Sequence, residues 1–112
     1  MDRLRQLCAG LPGAEEYTMV HHPAFRVRKK PFVIVGLKGD LAVNLGRMEQ
    51  AELLRDPRFT RTPYIGQHGW VTLSLDGADW SEITELVTDS WRRVATKKQL
   101  QELKTDTSPP QR

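Results

Sequence analysis

Near the start of the chain Leu4, Leu7, Cys8 and Leu11 recur at i, i+3, i+4 and i+7. That spacing lays one apolar stripe along a short helix, which Gly10-Leu11-Pro12-Gly13 closes. The period then drops to two. Glu15 to Val20 reads as a first strand stopped by His22-Pro23, since proline cannot donate to a ladder. In Phe25-Arg26-Val27-Arg28 apolar and basic residues alternate, predicting a half-buried strand with both arginines outward. Lys29-Lys30-Pro31 turns the chain into the unbroken apolar run Phe32 to Leu37, expected as a central strand buried on both faces. Lys38-Gly39-Asp40 turns it again, and Leu41, Val43 and Leu45 alternate along a further strand.

Arg47 to Arg55 fits a short helix with Met48, Ala51 and Leu54 on one side, ended by Asp56-Pro57. Arg58 to Gly69 predicts a long ordered loop, a kind of segment that often carries function, and Trp70 to Leu75 a last strand turned by Asp76-Gly77. Asp79 with Glu82 three residues on predicts an N-cap and capping box. Beyond it Trp80, Ile83, Leu86, Val87, Trp91, Val94 and Ala95 trace a stripe wide enough to cover a sheet face, with Leu100 and Leu103 prolonging it. Acids fill the first half of this helix and bases its last, matching the helix dipole. The order α-β-β-β-β-α-β-α predicts an α+β fold: an antiparallel β-sheet meander with N- and C-terminal helices packed on one face. Residues 1–104 make the single expected domain and 105–112 a flexible tail.

Composition narrows the class. The 112 residues are 38% hydrophobic and 28% charged, a globular balance that excludes low-complexity and disordered chains. No apolar run approaches the ~20 residues of a membrane span, and Met1-Asp2-Arg3-Leu4-Arg5 does not resemble a signal peptide. A cytoplasmic protein is expected. The lone cysteine supports neither an internal disulfide nor a thiolate metal cluster. Net charge is +3, and its distribution is uneven: Arg26, Arg28, Lys29, Lys30 and Lys38 lie between Tyr17 and Gly39 with no acid among them.

Cations in such a row can meet phosphates and displace their counterions. Arg26, Arg28, Lys29 and Lys30 are the expected nucleic-acid-binding residues of a projecting hairpin, joined by Arg58 and Arg61 from the long loop. Lys38 belongs to the same basic stretch, although its turn falls at the hairpin's other end. No helix clusters Arg, Asn and Gln, so binding to DNA would be led by the backbone and weakly sequence-specific. Aromatic residues on strands ordinarily enter the core, which leaves Tyr64, with His68 and Trp70, as candidates for ligand contact or base stacking. His21 and His22 are adjacent and point to opposite faces of a strand, so neither a metal nor a cofactor is predicted. With no nucleophile motif or phosphate loop, the expected protein is not an enzyme. The alternative reading is a protein-interaction or small-ligand adaptor using the opposite sheet face or the 58–69 loop.

Three ordered signatures carry a family resemblance. His22-Pro23-Ala24-Phe25-Arg26-Val27 followed by Lys30 and Phe32 resembles the first signature of the MmcQ/YjbR family. Asp56-Pro57-Arg58-Phe59, Pro63-Tyr64-Ile65-Gly66 and Gly69-Trp70-Val71 resemble the second, and Asp79-Trp80 with Ser90-Trp91-Arg92-Arg93-Val94-Ala95 the third. Pro31 stands where a small residue is usual, and Trp91 where tyrosine is. The resemblance implies a bacterial protein with a double-wing DNA-binding-like fold, sharing its layout with frataxin-like proteins. The acidic ridge that iron binding in that layout would need is missing, because the first helix carries Arg3 and Arg5 beside Asp2.

Overall fold

The computed structural model describes residues 2–36 and 38–107, with side chains described to residue 103. In chain order the elements are α1 (Asp2–Ala9), β1 (Glu15–Met19), β2 (His22–Val27), β3 (Lys30–Val35), β4 (Asp40–Asn44), α2 (Gly46–Leu53), β5 (Phe59–Arg61), one 3₁₀ turn (Gly66–His68), β6 (Trp70–Ser74), α3 (Trp80–Val94) and α4 (Lys97–Thr107). The strands form one antiparallel sheet in the order β1-β2-β3-β4-β6-β5. The expected α+β meander is therefore present, with three additions in the second half: β5, the 3₁₀ turn and α4.

Register explains how the sheet acquires two unlike faces. Residues paired across strands share a face. One row runs Phe25, Val33, Val43 and Val71, and the next runs Val35, Leu41, Leu73 and Phe59. These large residues form the core with Leu4 and Cys8 of α1 and with Ile83, Leu86, Val87 and Trp91 of α3. On the other face the row is Tyr17, Ala24, Ile34, Ala42, Thr72 and Thr60. Small and hydroxyl side chains predominate there, so the apolar pull on a helix is weak and the helices gather on the first face. The run Phe32 to Leu37 was expected to be buried on both faces; Ile34 instead lies half-buried on the helix-free face, and Leu37 lies outside the described residues.

Ser90 locks α3 in place. Its buried hydroxyl donates to the Phe32 carbonyl at 2.7 Å and accepts the Asn44 amide at 3.0 Å, joining the helix to β3 and β4 together. The Trp91 indole N–H reaches the Pro12 carbonyl at 2.9 Å and fixes the loop after α1.

Several boundaries differ from the sequence expectation for identifiable reasons. Pro23 does not end β1 but sits inside β2 opposite Thr18, tolerated because pairing with β3 begins only at Ala24. The turn before β3 is Arg28-Lys29, and Lys30 already belongs to the strand. The long loop contains β5 and the 3₁₀ turn; three residues with one apolar member present no period to read. The closing helix is two helices. Ala95 is extended at φ −72°, ψ 147°, and α4 starts with a reciprocal box in which Thr96 N–H donates to Gln99 Oε1 and Gln99 N–H to Thr96 Oγ1. Asp79 caps α3 by accepting from the Ser81 amide, but Glu82 turns away to Arg58 instead of closing the box. Helix α4 continues past the expected start of the tail to Thr107, and residues 108–112 lie outside those described.

Two outcomes test this packing. Ser90→Ala leaves a buried carbonyl and a part-buried amide without this partner, and lowers stability by roughly 1–3 kcal/mol; urea denaturation should show an earlier midpoint with an unchanged slope. Burial, with a smaller contribution from Glu16, pushes the Cys8 thiol up to about 12. The thiol therefore stays protonated at neutral pH, and a thiol-reactive chromophore should label it only as the protein unfolds.

Candidate nucleic-acid interface

Each strand brings its charges to one of two ends of the sheet. At one end lie the Arg28-Lys29 turn, the start of β3 and the end of β4. At the other lie the Val20-His21 turn, the 36–39 turn, the start of β4 and the end of β6. Helix α3 runs between them, with Glu82 bonded to Arg58 near the second end and Ser90 bonded to β3 and β4 toward the first.

The seven expected phosphate contacts divide accordingly. Arg28, Lys29 and Lys30 are exposed together at the tip of the β2–β3 hairpin, with no hydrogen bond or ion pair among the described residues. Arg26 sits on the helix-free face, bonded to Glu15 at 2.8 Å with its guanidinium 4.3 Å from the Tyr17 ring centroid. It is committed within the sheet. Lys38 lies at the far end, about 20 Å away for six residues of strand. Arg58 is held by Asp56 at 2.8 Å and by Glu82 of α3 at 2.9 Å. The hydrogen bonds it donates to Asp56 and then to Glu82 push the guanidinium's pKa up, and the contact with Arg58 holds the Asp56 carboxyl below its usual range. Arg61 lies on the edge strand β5, four strands from β2 and so roughly 19 Å across. The expectation that the cations from Arg26 to Lys38 form one patch, with Arg58 and Arg61 beside it, is corrected: three of the seven stand together.

The fold supplies others that the sequence order concealed. Arg93, in the last turn of α3, lies over Gly46, where a Cβ would stand 2.6 Å from its Nη1. Arg47 begins α2 next to that glycine, and Lys97 and Lys98 open α4. All four are exposed and unpaired among the described residues. Gly46, at φ +83°, allows this approach because it has no side chain. Asp40, which opens β4, Asp76 and Asp79, which follow β6, and Asp56 and Glu82, which surround Arg58, lie at the opposite end. Glu15 and Glu16 instead open β1 at the cationic end and are paired there with Arg26 and Arg5. The protein is thus polarised along its strands, cationic at the Lys29 end and acidic at the Lys38 end.

Backbone geometry marks the same hairpin. Arg28 and Lys29 have φ of 50° and 71°, the pattern of a type I′ turn, which Asn-Gly adopts comfortably. Two long cationic side chains occupy left-handed conformations that disfavour them.

The candidate stacking residues separate. Trp70 is only 6% exposed, so its ring cannot serve as a stacking platform; Phe25 and Phe32 are buried in the core. His68 is exposed in the 3₁₀ turn. Tyr64 is 93% exposed, at φ 69°, and borders a cavity on the helix-free face. Among the described residues no group of three or more His, Cys, Asp or Glu could hold a metal ion, and no described helix is long and apolar enough to cross a membrane.

Among curated proteins none matches the chain significantly. The crystal structure of protein DR2400 from Deinococcus radiodurans, with domain DUF419, superposes with a TM-score of 0.75 at 23% identity, covering 91% of this chain and 86% of that one. That likeness shows the shared fold. A family model described as YjbR matches residues 9–93, which span all six strands and nearly the whole of α3. The chain belongs to the YjbR family.

Proposed function

We propose that this protein is a non-catalytic DNA-binding module that grips backbone phosphates with the cationic end of its sheet. The observation that carries the reading is the Arg28-Lys29-Lys30 hairpin tip, exposed and free of carboxylate partners among the described residues. Arg47 and Arg93 extend the charge from neighbouring elements. With Asp40, Asp76 and Asp79 at the opposite end, and Glu15 and Glu16 neutralised by Arg26 and Arg5, a polyanion is attracted to one end and repelled from the other, which orients the encounter before contact.

Strain at the tip supports the same reading. Asn-Gly would relieve the turn, yet the chain keeps two cations there. Unfavourable backbone conformations persist where a side chain is needed at that position. No recognition helix is required: contacts to phosphate fix register without reading bases.

Duplex affinity against salt tests the proposal. Three to five phosphate contacts predict a log–log slope of roughly −3 to −5. Lys29→Glu with Lys30→Glu should weaken binding roughly tenfold or more at low salt and flatten the slope by about one per lost contact. Lys29→Gly separates function from folding: removing the strained side chain should raise the melting temperature while weakening DNA. Arg58→Ala should change stability by no more than about 1 kcal/mol and leave affinity unchanged. Undetectable binding at low salt, or equal loss from the Arg58 and Lys29 variants, overturns the proposal.

A further inference from the structure

The helix-free face of the sheet holds a cavity of about 750 Å³, within the roughly 300–1,000 Å³ of small-molecule sites. Ile34, Ala42 and Thr72 form its floor, and they are neighbours in one register row. Its walls rise from opposite flanks: Met19 and Val20 at the β1–β2 turn, and Pro63, Tyr64 and Ile65 after β5. We propose that this cavity binds a small planar molecule whose apolar ring bears nitrogen–hydrogen donors, such as an aromatic amine or amidine.

The walls are held in unfavourable conformations. Val20 is β-branched at φ 45° and 77% exposed; Tyr64 is at φ 69° and 93% exposed. A two-residue hairpin is comfortable with Asn-Gly, and a left-handed position after proline is comfortable with glycine. Instead two apolar side chains stand in water on either side of an apolar floor. A flat apolar body between them would cover all three surfaces.

The polar groups define what that body must carry. The carboxylate of Asp40 folds over Gly36, where a Cβ would overlap it, and has no partner among the described residues. His22 lines the same cavity, with Nδ1 3.1 Å from the Val35 carbonyl. A carbonyl only accepts, so Nδ1 donates, and Nε2 is the ring nitrogen left to meet a ligand. Thr60 Oγ1 donates to the Thr72 carbonyl at 3.5 Å, and one of the Thr62 and Thr72 hydroxyls donates to the other at 2.9 Å, so two of these three hydroxyl protons are engaged and one is left. Among the described residues the lining has no Lys or Arg. An acceptor-rich site with one carboxylate and no cation fits a ligand that brings donors or positive charge, and rejects an anion.

The site is separate from the Lys29 tip. Val20, Gly36 and Asp40 lie at the far end of the sheet, and Tyr64, though level with the Lys29 end, follows the edge strand β5, four strands from β2, so occupation here and DNA binding can be read separately. Titrating 2-aminobenzimidazole into isotopically labelled protein, with 2-naphthoate as the anionic counterpart, reads the site residue by residue. Saturable amide shifts at Ile34, Ala42 and Thr72 are expected for the amine, with binding roughly tenfold or more weaker for the naphthoate. Asp40→Asn should weaken the amine roughly fivefold or more. Val20→Asn combined with Tyr64→Gly should melt no lower than the parent and lose the shifts, so loss of binding cannot be attributed to unfolding. The proposal is overturned by absence of saturable shifts, by naphthoate binding as well as the amine, or by shifts that change with protein concentration alone, which would mean a second copy covers the face.

Discussion

A single hydroxyl group ties the helical layer to the sheet. Ser90 is buried, yet both of its hydrogen-bonding capacities go to backbone groups of different strands. An alanine there would leave the buried Phe32 carbonyl and the part-buried Asn44 amide without these partners. Because the bond to Phe32 and the bond from Asn44 are made at once, the axial position of α3 over β3 and β4 is set. Other placements follow from it. Trp91, one residue on, reaches the loop after α1, and Arg93, one turn on, arrives above Gly46.

The same geometry sorts the charges. An antiparallel meander returns the chain to the same end every second turn, so residues remote in sequence become neighbours and residues close in sequence are sent apart. Lys30 and Lys38 are eight positions apart and lie at opposite ends; Lys30 and Arg93 are far apart in sequence and share an end. Ion pairs then remove some candidates altogether. Arg26 and Arg58 are bound to carboxylates that the fold brings from β1 and α3. Exposed pairs like these contribute little stability, but they remove a cation from the pool that an outside phosphate can reach.

Much of the architecture was legible in the sequence because strong periods specify it. The stripe on α3 and the alternation through β2, β3 and β4 sufficed for class and order. What escaped were short or composite features. β5 has three residues, and the break at Ala95 leaves the apolar stripe almost in phase between α3 and α4. One signal was available for that break: Thr96 and Gln99 form the pattern of a capping box. The candidate interface was half legible. A basic run identifies a hairpin tip, whereas the partners of Arg58, the approach of Arg93 to Gly46 and the burial of Trp70 depend on contacts between distant elements. Tyr64 was singled out correctly as the exposed aromatic, but its companions at the cavity are Val20 and Ile34, not His68 and Trp70.

Both tight hairpin turns, Val20-His21 and Arg28-Lys29, lack glycine and asparagine although all four residues have positive φ. Random substitution at most positions erodes a fold, but here many replacements would improve it. Asn-Gly at either tip would adopt the same backbone without that cost. The two loops are therefore the places where the fold has stability in reserve, held back by four side chains and recoverable by replacing them.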